Sequence, residues 1–305
     1  MHPRVEAFAA EEQQKLITDP MNLRRFEKKI FSQNGEDGIL GEIFRRVGTT
    51  NRFFVECGIQ DGSENNTRAL LEREGWRGVW IEASGDFAAA ARARFASIPV
   101  RVIEQHITAA NIVKILTEAG VPEEMDLLSI DIDGNDYWIW KETAPFRPRV
   151  VVIEYNAAHP PGSTWMMPYD PDHVWDGTNR FGASLDALHA LAIARGYALV
   201  GCDSRGVNAF FVRRDVAGGR FSHLDEGVAY HYVSPKYNER RFGHPENREQ
   251  LLEDQVADLR QQLASVHEWI REKERVVGEQ IASLQAHLEA KEAEIRALRE
   301  RAGSS

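Results

Sequence analysis

The stretch Phe53-Phe54-Val55-Glu56-Cys57-Gly58-Ile59-Gln60-Asp61-Gly62-Ser63-Glu64-Asn65-Asn66 decides the fold. An apolar run long enough for one buried strand ends in an acid, passes a turn with glycines at Gly58 and Gly62, and enters residues that can open a helix. Such a corner brings backbone N–H groups close to a ligand, because glycine has no Cβ to hold it away. Its G-x-x-x-G spacing is not the dinucleotide-binding G-x-G-x-x-G, and it lacks the Lys-Ser/Thr of a phosphate-binding P-loop. Strands end in glycine turns in many α/β proteins, so its reading as a cofactor site depends on the strands that follow.

From Arg52 onward the pattern alternates strand and helix. Strands are expected at Phe53–Glu56, Val79–Glu82, Val100–Glu104, Leu127–Asp131 and Val150–Glu154. Helices are expected at Ser63–Glu74, Asp86–Phe95, Asn111–Ala119, Asp136–Lys141 and Leu185–Ala194. Strands that are continuous apolar runs belong to a parallel sheet covered on both faces. Tyr197–Cys202 and Ala209–Val212, joined by Asp203-Ser204-Arg205-Gly206, read as a closing antiparallel hairpin. The fold class is therefore α/β, a mostly parallel doubly wound sheet ending in an antiparallel pair.

Ahead of the sheet, residues 1–50 form a helical lead-in. Val5-Phe8-Ala9-Leu16 and Leu23-Phe26-Ile30 carry helical spacing, interrupted at Asp19-Pro20. Phe31-Ser32-Gln33-Asn34-Gly35-Glu36-Asp37-Gly38 is a polar knot before a helix whose face is Ile39, Leu40, Ile43, Phe44 and Val47. It is either an N-cap, through Ser32 or Asn34, or a cofactor-contacting segment. His159 to Phe181 is a long aromatic and Pro-rich connection, read as a substrate wall or lid.

Residues 51–215 make up the sheet domain and 216–247 an irregular tail, after which the composition changes. Leu252, Val256, Leu259, Leu263, Val266 and Ile270 fall on a heptad seam, Lys273 breaks it, and Leu284, Leu288, Ile295 and Leu298 continue it after a stutter. Residues 248–302 are expected to form a coiled coil, about 70 Å long at 1.5 Å per residue, that oligomerises the chain.

A formal net charge of -10 over 305 residues argues against general nucleic-acid binding. Cys57 and Cys202 lie far apart without metal or redox spacing and read as core residues of a reduced, cytoplasmic protein. No apolar run has the length of a secretory signal or a membrane span.

The chemistry is expected at the carboxyl ends of the strands. Glu82 ends the second strand, where an acid can accept both hydroxyls of a ribose. Asp131 and Asp133 end the fourth, Glu154 and Asn156 the fifth, and residues two apart on a strand share a side. Oxygen ligands alone favour Mg²⁺ or Mn²⁺ over zinc. The plainer reading has Asp133 and Asp136 stabilise the next helix N-terminus. For a proton acceptor the residues to weigh are His159, then His173, with Asp131 or Asp133 in their place.

With these residues in hand, the chain resembles the class I S-adenosylmethionine-dependent methyltransferases, and within them the FkbM-like and macrocin O-methyltransferase (TylF)-like sugar methyltransferases. Glu56-Cys57-Gly58-Ile59-Gln60-Asp61-Gly62 is similar to their cofactor loop, Glu82 to their ribose-binding acid, and Asp133-Gly134-Asn135-Asp136-Tyr137 to their fourth-strand pattern. Glu154-Tyr155-Asn156 departs from the family's two consecutive aspartates. The Phe31–Asp37 segment looks like one recurring in bacterial relatives near polysaccharide gene clusters, and the likeness spans Phe31 to Arg213.

The resemblance implies S-adenosylmethionine at Gln33, Asn34, Glu56, Gly58, Asp61, Gly62, Glu82, Gln105 and Asp131. The oxygen ligands at the strand ends offer a divalent cation Asp133, Glu154 and Asn156, and the same ends with the loop after the fifth strand offer Asp133, His159 and Asp131 for catalysis. The expected acceptor is a sugar hydroxyl on a glycan or glycoconjugate, with a polysaccharide-synthesis protein as a further partner and a peripheral inner-membrane position reached through it. Two rival readings stand beside this one. The first is a glycosyltransferase using Asp131-Ile132-Asp133 as a D-x-D. The second is a non-catalytic assembly protein organised by the coil.

Overall fold

The computed structural model describes residues 18–177, 180–224 and 226–233, with isolated helical positions between 260 and 291. Contacts divide the chain into Met1–Asn247 and Arg248–Ser305. In the second unit the described residues are helical and exposed, including the seam positions Leu263 and Leu288. The rest of the heptad seam, and the expected helix from Val5 to Leu16, lie outside the described residues.

Five parallel strands, β1 (Phe53–Cys57), β2 (Arg77–Glu82), β3 (Val100–Glu104), β4 (Leu127–Ile130) and β5 (Val150–Glu154), join an antiparallel pair, β6 (Tyr197–Cys202) and β7 (Asn208–Arg213). Their order is β3-β2-β1-β4-β5-β7-β6, a Rossmann-like, mostly parallel doubly wound sheet closed by the antiparallel pair that the sequence pattern predicts. Side chains that alternate along each strand divide between two cores. Val55, Leu128, Val151 and Ile153 pack under α4 (Ile112–Glu118), α5 (Asp136–Glu142) and α6 (Leu185–Arg195). Phe54, Leu127, Val150 and Val152 pack under α1 (Glu36–Val47), α2 (Arg68–Glu74) and α3 (Gly85–Arg94). Both faces are covered, which is why the strands read as unbroken apolar runs.

Two expected helices are shorter than their spacing predicts. Leu23–Phe26 is a single 3₁₀ turn and not a helix reaching Ile30, because Asp37 Oδ2 accepts the N–H groups of Ile30, Phe31 and Ser32, each at 2.8 Å. The helix expected from Ser63 starts at Arg68, because Glu56 captures the N–H groups of Asn66 and Thr67. Residues 214–224 and 226–233 belong to the first unit and carry α7 (Arg214–Ala217) and α8 (Val228–His231). Tyr155 donates its hydroxyl to Val233 O at 3.0 Å, and Tyr232 donates to Ala157 O at 2.7 Å.

The entry edge of the sheet is stapled by Asp126, which is fully buried. Its carboxylate accepts from the backbone N–H groups of Thr50, Asn51 and Arg52 and from the Thr50 hydroxyl, at 2.7–2.9 Å, with Arg149 Nε at 3.4 Å. Asp126→Ala is expected to cost about 2 kcal/mol in urea unfolding; water can reach the freed groups of exposed Thr50 and Arg52, which holds the loss below that of a wholly buried network.

Candidate active site

Strand order reverses between β1 and β4, so the ligand crevice of this sheet opens beyond their carboxyl ends. Asp131 N–H donates to Cys57 O at 3.2 Å and Gly58 N–H to Ile81 O at 3.0 Å, which carries the ladders one step past the strands. Gly58 has φ +82°, and a Cβ there would stand 1.6 Å from Asp131 O. The missing side chain thus lets the two walls of the crevice meet; it is not space kept for a ligand. Gly62 is closed in by the rings of Phe95 and Trp80, 2.9 and 3.1 Å from where its Cβ would be, so that side of the turn packs on the core.

The acids of this turn divide in role. Glu56 is buried and acts within the turn, not as an open cofactor contact. It accepts from Asn66 N–H at 2.8 Å, Thr67 N–H at 3.1 Å and the Thr67 hydroxyl at 2.5 Å. Burial pushes its pKa up to about 7 against those bonds. Asp61 accepts from Ser63 and pairs with Arg94 at 3.0 Å. Glu82, at the end of β2, accepts from Gln60 N–H at 2.7 Å and Ser84 N–H at 2.8 Å. It thereby ties the turn after β1 to the start of α3.

Across the crevice Asp131, Asp133 and Glu154 place ligand oxygens within 4.8 Å of one another. They converge although β4 stops at Ile130 and Asp133 takes φ +53°, so a turn and not strand alternation brings the two aspartates together. Asp136 sets that turn, accepting from Ile132 N–H and Gly134 N–H at 2.9 Å each. Burial pushes Asp136 up to about 6. Burial, then mutual repulsion, raises Asp131 and Glu154 well above the usual carboxylate range. Burial also raises Asp133, and the charge of His173 opposes the rise.

Asn156 is not in this group. The strand ends at Glu154, and the Asn156 side chain is spent on its own loop, donating to Phe181 O at 3.1 Å and accepting from Ala158 N–H at 3.2 Å. His159 also stands apart from it. Its ring stacks on Trp165 at 4.3 Å, and its pKa falls through burial with no carboxylate contributing.

Of the remaining expected cofactor contacts, Gln33 is exposed. Asn34 binds Glu36 through its N–H at 2.7 Å and its side chain at 3.2 Å. Glu36 in turn accepts from Asn208 of β7 at 2.9 Å, so the polar knot clasps the hairpin. The N-cap position is Gly35, without a side-chain cap, although Ser32 Oγ does accept from Asp37 N–H at 3.1 Å. Gln105 is exposed beyond β3, its side chain donating to His106 O at 3.4 Å.

Sequence reasoning passed over Asn65. It is buried, and neither its amide nitrogen nor its oxygen has a partner. Its neighbour Asn66 donates to Ser129 of β4 at 3.1 Å, which sets this turn over the β1–β4 junction. The only signal in the sequence is an Asn pair after a glycine turn, and that is common in loops.

No protein-family model and no curated protein matches the chain. Among solved structures it is similar to the N-terminal domain of EvdMO1 in the presence of SAH and D-fucose, with 13% identity over 70% of this chain and 97% of that one and a TM-score of 0.38. It is similar to the O-methyltransferase from Bacillus cereus in complex with SAH, at 18% identity, 68% and 97% coverage and a TM-score of 0.39. A third is an S-adenosylmethionine-dependent methyltransferase from Clostridium acetobutylicum, at 11% identity, 68% and 98% coverage and a TM-score of 0.38. At these values the likeness carries no argument, and the fold stands on this chain's own strand order.

Proposed function

We propose that the chain is an S-adenosylmethionine-dependent O-methyltransferase acting on a sugar hydroxyl of a bacterial surface glycan or glycoconjugate, with a divalent cation, Mg²⁺ or Mn²⁺, assisting. The observation that carries the reading is the set of polar groups after the carboxyl ends of neighbouring strands: Glu82 at the end of β2, the orphaned Asn65 amide in the turn after β1, and the clustered carboxylates of Asp131, Asp133 and Glu154 after β4 and β5. An amide with a donor and an acceptor both unused suits the amino-acid end of the cofactor, which offers an ammonium and a carboxylate. Glu82 keeps lone pairs beyond its two backbone bonds for ribose hydroxyls. Three carboxylates this close repel unless something neutralises them, and Glu154 Oε2 is closed off from solvent without a partner; both features fit a cation.

When bound, the cofactor supplies an electrophilic methyl group and the cation lowers the pKa of a hydroxyl held against it. The chain's part is to hold the acceptor oxygen in line and take its proton. Asp133 and Glu154 are the groups that would hold the cation, and Asp131, with its raised pKa, is the carboxylate suited to receive the proton. The aromatic connection after β5 would wall the acceptor, and two bonds hold it to α5 and the turn before it: Trp138 Nε1 donates to Met167 O at 2.8 Å, and Asn135 donates to Asp170 O at 2.6 Å. Residues 248–302 would oligomerise the enzyme and hold it near a partner of glycan synthesis, including one at the inner membrane. Among the described residues no helix is long and apolar enough to cross a membrane.

Calorimetric titration with S-adenosylmethionine and S-adenosylhomocysteine tests the reading. Glu82→Ala is expected to weaken binding roughly 30-fold, about 2 kcal/mol for charge-assisted bonds to a diol. A folded protein that binds neither form would sink the proposal. Binding of a nucleotide sugar in their place would return Asp131 and Asp133 to the D-x-D reading.

A further inference from the structure

We infer that the chain carries a second ligand site, remote from the crevice, which binds a phosphate ester against the guanidinium groups of Arg45, Arg46 and Arg220. The inference goes beyond the methyltransferase reading and does not rest on it.

A cavity of about 320 Å³ opens between the 3₁₀ turn with the residues just before it, the C-terminal half of α1 and the stretch after α7. That is room for a small organic ligand. The three arginines line it, and Glu42 is the single acid among its described lining residues. Pro20, Met21 and Phe26 give it an apolar wall, on which Met21 is exposed. The place is the entry edge of the sheet. Val47, the residue after Arg46, accepts from Arg149 Nη2 just before β5 begins, whereas the crevice opens beyond the carboxyl ends of the strands.

The charges around this cavity do not balance. Glu42 accepts from Nε and Nη2 of Arg45 at 2.6 and 2.8 Å and from Nε of Arg46 at 2.7 Å, so one carboxylate serves two guanidiniums. Arg220 bonds no acid; its Nη1 donates to the carbonyls of Val216 and Gly218 at 3.1 and 3.3 Å. Two positive charges are left over. The C-terminus of α1 favours Arg45 and Arg46 in its last turn, but it gives no reason for Arg220, which the fold brings in from beyond α7.

Arg46 is also held ready. Its guanidinium lies 5.3 Å from the ring centroids of both Phe26 and Phe221, and its Nη1 donates to Met21 O at 3.0 Å and to Arg220 O at 3.4 Å. Among the described residues, Arg45 Nη1, Arg46 Nη2 and Arg220 Nη2 have no acceptor. Unused donors on three guanidiniums, with two charges in excess, match a phosphomonoester, which is close to dianionic above its second pKa of about 6 and offers three acceptor oxygens. A carboxylate brings one charge and leaves the other bare. The esterified group then lies on the apolar wall, and the phosphate comes either from a soluble ester or from a lipid headgroup.

Calorimetric titration of the full-length chain with phenyl phosphate, near neutral pH in buffer free of phosphate, tests the inference. One saturable site is expected, weakened by added salt, with inorganic phosphate binding less tightly because it leaves the wall uncovered. Arg220→Gln removes a side chain that bonds only backbone carbonyls close by, so the variant should fold and bind phenyl phosphate roughly tenfold more weakly. Met21→Asp, which deletes no donor but sets a like charge in the wall, should act in the same direction. Arg92→Gln, on the exposed face of α3, should change nothing. Sedimentation with phosphatidylcholine vesicles that contain phosphatidic acid, lost in Arg220→Gln, would assign the phosphate to a lipid headgroup; phenyl phosphate binding without vesicle binding would assign a soluble ester. Failure of the wild type to bind either probe, or binding that is equal in the wild type, Arg220→Gln and Met21→Asp, overturns the inference.

Discussion

Gly58→Ala is expected to lose more than about 4 kcal/mol in urea unfolding and to abolish cofactor binding. The added Cβ would stand 1.6 Å from the carbonyl oxygen of Asp131, and backbone on both sides leaves no flexible side chain to give way. Relief requires β1 and β4 to part at their carboxyl ends, which breaks the Asp131 N–H bond to Cys57 O and displaces the aspartate that the site is built on. The positive φ adds a further cost of about 1 kcal/mol. Gly75→Ala separates the two terms. Gly75 also has a positive φ, +70°, with nothing within 4 Å of its Cβ position, so only the conformational cost should appear. Equal losses in the two variants would show that the close approach at Gly58 does not hold in solution.

The same residue shows how far the sequence can be read. Apolar runs separated by helical spacing are local signals, and they are enough to predict a covered parallel sheet with a closing hairpin. Glu82, Asp131, Asp133 and Glu154 were legible because the carboxyl end of each parallel strand is a known place once the sheet is known. Gly58 was legible as important but not for its reason, because its neighbour Asp131 comes from a distant strand. Asn156 was misplaced because alternation was carried past the point where β5 ends and the chain turns to pair with Ala183. The orphaned amide of Asn65 is a product of tertiary packing, and no periodicity announces it.

Glu56 gives the second large effect, and its sign follows from its surroundings. Its folded pKa stands at about 7 because burial outweighs the hydrogen bonds from Asn66, Thr67 and Ser129, while the unfolded chain titrates near the ordinary glutamate value of 4.5. The folded state therefore binds its proton more tightly, and the stability this contributes is fully present below pH 4.5 and is lost as pH rises through 7. The interval corresponds to about 3 kcal/mol. Asp136, raised to about 6, and Asp203, raised to about 8 by burial and by Glu36, add slopes of the same sign. Glu56→Gln is a permanent neutral analogue that can still accept from Thr67. Unfolding free energies measured from pH 4.5 to 8.5 should fall less steeply in the variant, by about 3 kcal/mol across the range, so that its disadvantage at low pH shrinks or reverses at high pH. Parallel curves would mean that Glu56 is already ionised at low pH, with its donors outweighing burial. The distinction reaches the site, because the turn Glu56 holds is the one that carries Asn65 over the β1–β4 junction.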